Sequence, residues 1–270
     1  MREKDKAALR ACTLFLFDLD GTLYLGDRLF PFTKELLRVI RERGGDYIFM
    51  TNNSSKSVAD YLKKLARLGI DAEERDFVTS SQVTADYLCG HCPGSRLYVC
   101  GTESLKAELR SRGLTVTENA GEADCVVMGF DTELSFKKLE DVSRLLLTRP
   151  GIPYIATNPD LVCPTEFGSV PDCGSVCGML YNVSRRRPLV IGKPEPAMPL
   201  YAMKTRGAEK DNTLVIGDRI YTDIKSGLNA GCRTLLVLSG ETDEKILAES
   251  KDKPEFVLPS CGELLDALKA

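Results

Sequence analysis

The chain has 270 residues, which is enough for one large domain or two of modest size. Hydrophobic residues make up 43% and charged residues 28%, and the formal net charge is −3, so neither a nucleic-acid polymer nor a membrane surface is expected as a partner. No apolar run approaches the length of a transmembrane helix, and the charged N-terminus has no apolar signal-peptide core behind it, so we expect a cytoplasmic protein.

Strand-like and helix-like segments alternate in the first part of the chain. After a lead-in that we interpret as solvated, the apolar runs Leu14–Phe17 and 47–50 are short enough for buried strands. Apolar residues recur at helical spacing over 32–40 and 58–65, and glycines end both segments. The order strand–helix–strand–helix predicts a parallel sheet with right-handed crossover connections.

The same alternation continues through the middle of the chain and the C-terminal part. In the middle we expect helices near 82–88, 103–112 and 136–147, and strands near 97–100, Cys125–Met128 and Tyr154–Ala156. In the C-terminal part we expect strands near 189–191, 213–216, 234–238 and Phe256–Leu258, and helices near 196–206, 220–228, Glu244–Glu249 and 262–268. The pattern predicts an α/β fold.

The ten cysteines occur singly and mostly in apolar segments. Reduced thiols in the core, rather than a disulfide framework, are therefore expected. The segment Cys89-Gly90-His91-Cys92 could offer zinc ligands, but no second CxxC pair lies nearby. We interpret it as the end of a helix and a turn.

Two aspartates, Asp18 and Asp20, follow the first predicted strand in the sequence DLDGTLY. If they continue the strand, both side chains face the same side. Two carboxylates about 4 Å apart repel each other by roughly 4 kcal/mol at an effective dielectric constant near 20. A bound cation or a shared proton relieves that repulsion, which predicts a metal site or an acid–base site. The alternative is a turn in which the aspartates cap a helix.

Polar residues follow three further predicted strands. Thr51 and Asn52 open the sequence TNNSS, which suits a phosphate but would also suit a helix N-cap. Lys193, between glycine and proline, offers a positioned charge or is a surface lysine in a turn. Asp218 and Asp223 belong to GDRIYTDI, after the strand near 213–216. Because the ends of parallel strands converge on one sheet edge, we expect all four segments to meet there.

This set of residues is typical of phosphoryl transfer. Magnesium prefers one or two carboxylates together with substrate phosphate and water. A lysine and a threonine can neutralise and orient phosphoryl oxygens. One aspartate can act as a nucleophile that forms an aspartyl-phosphate, while the other protonates the leaving oxygen and later activates water.

The motifs DLDGTLY, TNNSS, GKPEP and GDRIYTDI, in this order, resemble the four motifs of the haloacid dehalogenase (HAD) superfamily. More narrowly, together with ATNPD at 156–160, they resemble its NagD-like and para-nitrophenylphosphatase-like phosphatases. The resemblance spans the whole chain. It implies a three-layer, parallel-sheet Rossmann-like core formed by residues 1–78 and 189–270, with a smaller α/β cap domain of the C2 type inserted at 79–188.

By this resemblance, Asp18 would be the nucleophile and Asp20 the general acid and base. Thr51 and Lys193 would hold the transferring phosphoryl group, with Asn52 beside it. An acidic residue at position 20 argues against dehalogenase chemistry, which has no leaving alcohol to protonate.

The resemblance also implies a magnesium site. Asp18, the backbone carbonyl of Asp20 and Asp218 would ligate Mg2+. Asp223 would act on a metal-bound water or on Lys193.

Loop lengths support the C2 arrangement independently. Only 30 residues lie between Asp20 and Thr51, whereas 141 lie between Thr51 and Lys193. The second interval is far longer than a crossover connection needs, so the inserted domain follows the second motif.

A lid of this kind shields the reacting group and selects the leaving group. The candidates to face the core are the segment 157–160 and the loop 164–177. Asn158 and Asp160 could hydrogen-bond a sugar or a base, and Glu166 is a weaker candidate. The alternative is that these turn-forming residues only build the loop.

The sequence therefore predicts a magnesium-dependent phosphatase of small phosphomonoesters. Sugar phosphates, nucleoside monophosphates and pyridoxal phosphate are the candidate substrates, with para-nitrophenyl phosphate as an artificial one. The alternatives are a phosphotransferase or mutase that uses the same aspartyl-phosphate, and a catalytically inert phosphate-sensing domain. A homo-oligomer is possible.

Overall fold

A computed structural model describes residues 2–165 and 167–269, so Glu166 lies outside the described residues. The chain divides into two compact units. The first comprises residues 1–51, 62–78 and 193–270, and the second comprises 52–61 and 79–192. The sequence-based boundaries place 52–61 and 189–192 with the core, whereas this division places them in the second unit.

Strands and helices alternate along most of the chain. The strands are β1 (Leu14–Phe17), β2 (Tyr24–Leu25), β3 (Arg28–Leu29), β4 (Asp46–Thr51), β5 (Phe77–Thr79), β6 (Arg96–Cys100), β7 (Thr115–Thr117), β8 (Cys125–Met128), β9 (Tyr154–Ala156), β10 (Val162–Thr165), β11 (Gly168–Pro171), β12 (Leu189–Val190), β13 (Thr213–Gly217), β14 (Arg233–Val237) and β15 (Phe256–Leu258). The helices are α1 (Glu3–Arg10), α2 (Thr33–Glu42), α3 (Val58–Arg67), α4 (Ser80–His91), α5 (Glu103–Ser111), α6 (Phe136–Thr148), α7 (Cys173–Ser184), α8 (Ala197–Arg206), α9 (Lys225–Ala230), α10 (Glu244–Glu249) and α11 (Cys261–Lys269). Short 3-10 turns occupy Glu74–Asp76, Ala120–Glu122 and Lys210–Asn212, and a π-helical turn occupies Ile220–Ile224.

The first unit is built on a six-stranded sheet with the strand order β15-β14-β13-β1-β4-β5. The central strands β13, β1 and β4 are parallel, and Phe17 at the end of β1 is in register with Ile216 and Phe49. Every residue of β1 is buried, as expected for a strand covered on both faces by helices. The fold class is therefore the predicted one, a three-layer α/β core of the Rossmann-like kind. The residues that follow β1, β4 and β13 emerge at one edge of this sheet.

The second unit has its own parallel sheet with the strand order β12-β9-β8-β6-β7. Its core lies between this sheet and helices α6 and α7, and includes Met128, Val142, Leu145, Tyr154 and Leu180. The hairpin β10–β11 follows β9 and leads into α7. A five-stranded sheet with this core is enough to make the inserted segment an α/β unit in its own right.

The predicted helices and strands named above are largely confirmed, with bounds that differ by a few residues. The N-terminal lead-in is an exception, because it forms α1 and buries Leu9 completely. The Arg10 guanidinium donates to the Ala267 carbonyl at 2.8 Å, so contacts with the far end of the chain stabilise this segment. The loop predicted at 164–177 is also wrong in part, since it contains β11 and the first turn of α7.

Two predictions near the site need correction. The strand predicted at 189–191 does not join the core sheet: β12 pairs in parallel with β9 of the second unit. The helix predicted over 220–228 begins with the π-helical turn, so Ile220 and Ile224 are buried while Leu228 is 37% exposed. The wider π turn changes the angular spacing of side chains, and π turns of this kind are frequent at functional sites.

Within residues 2–165 and 167–269, no helix combines the length and the apolar character that crossing a membrane requires. All ten cysteines fall in these ranges and are free thiols. The segment Cys89-Gly90-His91-Cys92 forms the end of α4, where the His91 ring stacks on Tyr87. This is the predicted helix end.

Candidate active site

Asp18 is the first residue after β1, at the edge where the central strands of the core sheet end. Its backbone N–H donates to the Ile216 carbonyl of β13 at 2.8 Å, which continues the sheet hydrogen bonding by one residue. The carboxylate of Asp18 is 18% exposed. It is therefore held by the backbone of a rigid strand yet remains accessible from solvent.

The ammonium group of Lys193 joins two of the acidic residues. Its Nζ donates to Asp18 Oδ1 and to Asp223 Oδ1, both at 2.6 Å, and to the Met50 carbonyl at 3.3 Å. The side chain is only 3% exposed. Lys193 was expected to follow a strand of the core sheet, but it follows β12 of the second unit and still reaches Asp18. Lys193 therefore lies beside Asp18 as predicted, although the strand that precedes it belongs to the second sheet and not to the core sheet.

Three carboxylates form a single cluster. Asp18, Asp218 and Asp223 each offer an oxygen within 4.8 Å of the other two, and the described ranges contain no other group of three or more possible metal ligands. Asp223 sits in the π-helical turn and accepts the backbone N–H of Arg219 at 3.0 Å through Oδ2. The turn therefore directs Asp223 back towards Lys193 and Asp18.

The loop after β14 positions Asp218, and sequence reasoning missed it. The Glu241 backbone N–H donates to Asp218 Oδ2 at 2.7 Å, and the Thr242 N–H donates to the Asp218 carbonyl at 3.1 Å. A Cβ on Gly240 would lie 2.0 Å from Asp218 Oδ2, and one on Gly21 would lie 2.5 Å from it. The signal was the Ser-Gly-Glu-Thr sequence directly after a core strand, at the same sheet edge as the four motifs.

Asp20 is not one of the three residues of the acidic cluster. It follows β1 by three residues and makes an isolated bridge with Tyr24, so the alternation of a strand does not apply to Asp18 and Asp20. Its Oδ1 accepts the Gly26 N–H at 3.4 Å, and its Oδ2 lies 3.9 Å from Lys64 Nζ. Strand alternation therefore gives no reason for the two carboxylates to face the same side, because β1 ends at Phe17, before both of them.

The remaining predicted residues fall into two places. Thr51 ends β4 and is 8% exposed, beside the Met50 carbonyl that Lys193 contacts. Asn52, Asn158 and Asp160 belong to the second unit and lie together: Asn52 Nδ2 is 3.2 Å from each carboxylate oxygen of Asp160, and Asn158 Nδ2 donates to the Asn52 carbonyl at 2.9 Å. Asn158 is completely buried.

Burial and mutual repulsion perturb the titration of the cluster. Burial raises the pKa of Asp18 to about 8; Lys193 opposes this rise, and Asp223 and Asp218 add to it. Burial and then Asp223 raise the pKa of Asp218 to about 7. Burial lowers the pKa of Lys193, but Asp18 and Asp223 outweigh burial and raise this pKa above its ordinary value. One ammonium group therefore does not compensate the three carboxylates, and a further cation would favour their ionised forms.

The oxygen atoms of the cluster fit a hard divalent cation. Asp218 Oδ1 is buried and has no hydrogen-bond partner among the described residues, while Oδ2 is already committed to Glu241. A buried carboxylate oxygen without a partner is costly unless something else binds it. Carboxylate oxygens are the ligands that Mg2+ prefers. Asp18 and Asp218 can therefore hold such an ion.

Arg219 adds a second positive group to this edge. Its Nε lies 2.8 Å from Glu241 Oε2, and its side chain is 21% exposed. Burial lowers the pKa of Arg219, but Glu241 and Asp18 outweigh burial and raise this pKa above its ordinary value. The site thus combines a cation-binding cluster with the ammonium of Lys193, an arrangement suited to an anionic substrate.

Comparisons with known proteins agree with this arrangement. A family model described as haloacid dehalogenase-like hydrolase matches residues 15–115, and a second model, HAD-hydrolase-like, matches residues 190–264. The chain is 36% identical to 5'-nucleotidase YutF of Bacillus subtilis over 250 residues, which cover 92% of this chain and 96% of that protein. It is 32% identical to an acid sugar phosphatase of Staphylococcus aureus over 255 residues, 94% of this chain and 97% of that one.

Solved structures extend the likeness to the fold. A 4-nitrophenylphosphatase from Thermotoga maritima superimposes with a TM-score of 0.91 at 38% identity, covering 97% of this chain and 99% of that one. A glycerol phosphate phosphatase from Mycobacterium tuberculosis, solved in complex with calcium, has a TM-score of 0.88 at 30% identity and covers 97% of this chain and 76% of that one. The chain therefore belongs to the haloacid dehalogenase-like hydrolases, within their NagD-like phosphatases, and it is a phosphoric monoester hydrolase.

Proposed function

We propose that the protein is a magnesium-dependent phosphatase of small phosphomonoesters that works through an aspartyl-phosphate on Asp18. The observation that carries this proposal is the contact of Lys193 Nζ with Asp18 and Asp223, 2.6 Å from each, inside the cluster that also holds Asp218. The cluster offers a carboxylate nucleophile, a cation-binding set of oxygens and a fixed positive charge at the same place.

Asp18, Asp218 and the backbone carbonyl of Asp20 would hold the magnesium ion, and Asp223 would act through Lys193. The ion would neutralise charge on the phosphoryl oxygens and keep the carboxylates ionised. This second effect matters because the raised pKa of Asp18, about 8, otherwise favours its protonated form, which is a poor nucleophile.

In the first step, a carboxylate oxygen of Asp18 attacks the phosphorus and the bond from phosphorus to the ester oxygen breaks. Asp20 donates a proton to that ester oxygen, so the leaving group departs as an alcohol. In the second step, Asp20 takes a proton from water, and the water oxygen attacks the phosphorus. The bond from phosphorus to the Asp18 oxygen breaks, so inorganic phosphate is released and the Asp18 carboxylate is restored.

Thr51 and Lys193 would orient the phosphoryl oxygens during both steps. Lys193 is suited to this because two carboxylates and a backbone carbonyl hold its ammonium group in place. A preorganised charge stabilises the transferring group without the cost of reorienting water.

We propose sugar phosphates, nucleoside monophosphates and pyridoxal phosphate as candidate substrates, with para-nitrophenyl phosphate as an artificial one. The support is the range of names among the similar proteins, which include a 5'-nucleotidase, an acid sugar phosphatase and a 4-nitrophenylphosphatase. The cap role of the second unit, the contacts of Asn158 and Asp160 with substrate, a cytoplasmic location and a homo-oligomer stay predictions.

The test is a screen of purified protein against a panel of phosphate esters, with magnesium and with excess EDTA. We expect hydrolysis that EDTA abolishes and magnesium restores. Asp18→Asn should keep the fold but retain less than about one part in a thousand of the wild-type rate, whereas the matched control Asp71→Asn, at an exposed aspartate, should keep full activity. Full activity of Asp18→Asn, or in excess EDTA, would rule out the proposed mechanism.

A further inference from the structure

Side-chain hydrogen bonds join two segments of the second unit, 52–55 of the TNNSS motif and ATNPD at 156–160. The Asn52 amide Nδ2 lies 3.2 Å from Asp160 Oδ1 and 3.2 Å from Asp160 Oδ2. Asn52 is 6% exposed and Asp160 is partly buried. A hydrogen bond from an amide to a carboxylate is charge-assisted, and partial burial strengthens it.

Asn158 forms hydrogen bonds with both Asn52 and Asp160. Its Nδ2 donates to the Asn52 carbonyl at 2.9 Å, and its Oδ1 accepts the Asp160 backbone N–H at 3.0 Å. Because Asn158 is completely buried, its side chain ties Asn52 to Asp160 from inside the unit. The second of these hydrogen bonds is made within the ATNPD motif, between residues two positions apart.

The backbone around Asp160 is also fixed. The Gly174 N–H in the first turn of α7 donates to the Asp160 carbonyl at 2.8 Å. A Cβ on Gly174 would lie 2.0 Å from the Pro159 carbonyl oxygen, so only glycine allows this close approach. A carboxylate held in this way can act as a fixed anchor for another side chain.

The same contacts reach the residues next to both predicted phosphoryl-holding groups. Asn52 follows Thr51 directly in the chain, and Gly192 directly precedes Lys193. The Gly192 N–H donates to the Thr157 carbonyl at 2.8 Å, and a Cβ on Gly192 would lie 2.6 Å from Asn52 Oδ1. Asn52 therefore fits between the Asp160 carboxylate and the backbone that leads into Lys193.

We infer that Asp160 is a positioning residue, which acts on phosphoryl binding through Asn52 and not by touching the leaving group. It holds the Asn52 side chain, and Asn52 in turn fixes the backbone that carries Thr51 and packs against the residue before Lys193. The inference rests on the proposed function, in which Thr51 and Lys193 hold the phosphoryl oxygens. A misplacement of about 1 Å in such groups is enough to slow a reaction strongly.

A double-mutant cycle with Asp160→Ala and Asn52→Ala tests the inference. Each single substitution should lower kcat/KM by about tenfold or more, as expected for loss of a hydrogen bond to a charged group. The double variant should be no worse than Asn52→Ala alone, because the carboxylate then has no amide to hold. If the two losses multiply instead, Asp160 acts independently of Asn52 and the inference is overturned.

Inhibition by inorganic phosphate gives a second readout, since phosphate has no leaving group. In Asp160→Ala the inhibition constant for phosphate should rise along with the loss in kcat/KM, and the loss should be the same for every ester of the panel. An unchanged phosphate constant, with losses that depend on the leaving group, would show a direct substrate contact and overturn the inference.

Asp160→Asn keeps an oxygen that can accept from Asn52, so it should retain most of the activity. If Asp160→Ala does not fold, Asp160→Leu, which has a side chain of similar size and no acceptor, carries the same cycle. Asp86→Ala, at an exposed aspartate of α4, is the matched control and should behave like the wild type. Failure of the positioning role can also be distinguished from failure of the proposed function. If the wild type hydrolyses no ester, or Asp18→Asn is fully active, the proposed function fails; if both behave as expected and the losses multiply, only the positioning role fails.

Discussion

Gly240→Ala is the sharpest test of how the fold prepares Asp218 for a cation. The new methyl group would lie 2.0 Å from Asp218 Oδ2 and 2.5 Å from its Cγ. Gly240 is also followed by Glu241, whose N–H donates to the same oxygen at 2.7 Å. One methyl group therefore displaces the carboxylate and disturbs the hydrogen bond that orients it.

The size of the expected effect follows from these distances. Non-bonded contacts with carbon begin at about 3.5 Å, so the carboxylate and the loop must separate by about 1.5 Å. That displacement is most of a magnesium–oxygen bond length of about 2.1 Å, and magnesium tolerates little distortion. We expect the magnesium concentration for half-maximal activity to rise by about 10- to 100-fold, the loss typical of disturbing the groups that orient a metal ligand.

The assay is a magnesium titration of para-nitrophenyl phosphate hydrolysis, with a thermal melt to show that the variant is folded. The matched control is Gly178→Ala on α7, where a Cβ would meet nothing within 4 Å. A folded Gly240→Ala protein with an unchanged magnesium requirement would refute the assignment of Asp218 as a ligand held by this loop.

Two further predictions concern proton transfer and pH. Asp20→Asn should slow esters of poor leaving groups much more than para-nitrophenyl phosphate, because the nitrophenolate leaves without a proton; equal slowing across the panel would argue against Asp20 as the acid. The pKa values of Asp18 and Asp218, about 8 and about 7, lie above the ordinary value near 3.9, so the metal-free folded protein binds protons that the unfolded chain has released. Its free energy of unfolding should therefore fall as the pH rises from about 4 to about 8. Because magnesium competes with these protons, it should raise Tm more at about pH 8 than at about pH 6; an equal or larger shift at the lower pH would contradict the assignment.

The sequence by itself determined the alternation of strands and helices and the class of site residue. The pattern and length of the apolar runs were sufficient to predict β1, β8, β9 and β15, whose predicted bounds are those of the structure. Such strands are buried runs of apolar residues, so their pattern is local and can be read without the fold. Asp18, Lys193 and Asp218 were selected from the sequence because they closely follow predicted strands whose ends converge on one sheet edge, and Asp223 because it belongs to the same segment as Asp218.

Only the tertiary structure decided how those residues meet. Lys193 follows a strand of the second sheet, and β12 has only two residues, so nothing local reveals which sheet it joins. Strand alternation does not relate Asp20 to Asp18, because β1, as paired with β4 and β13, ends at Phe17. The contact of Gly240 and Glu241 with Asp218 joins residues more than twenty positions apart. Periodicity describes neighbours along the chain, whereas the geometry of this site depends on distant segments packed within hydrogen-bonding distance.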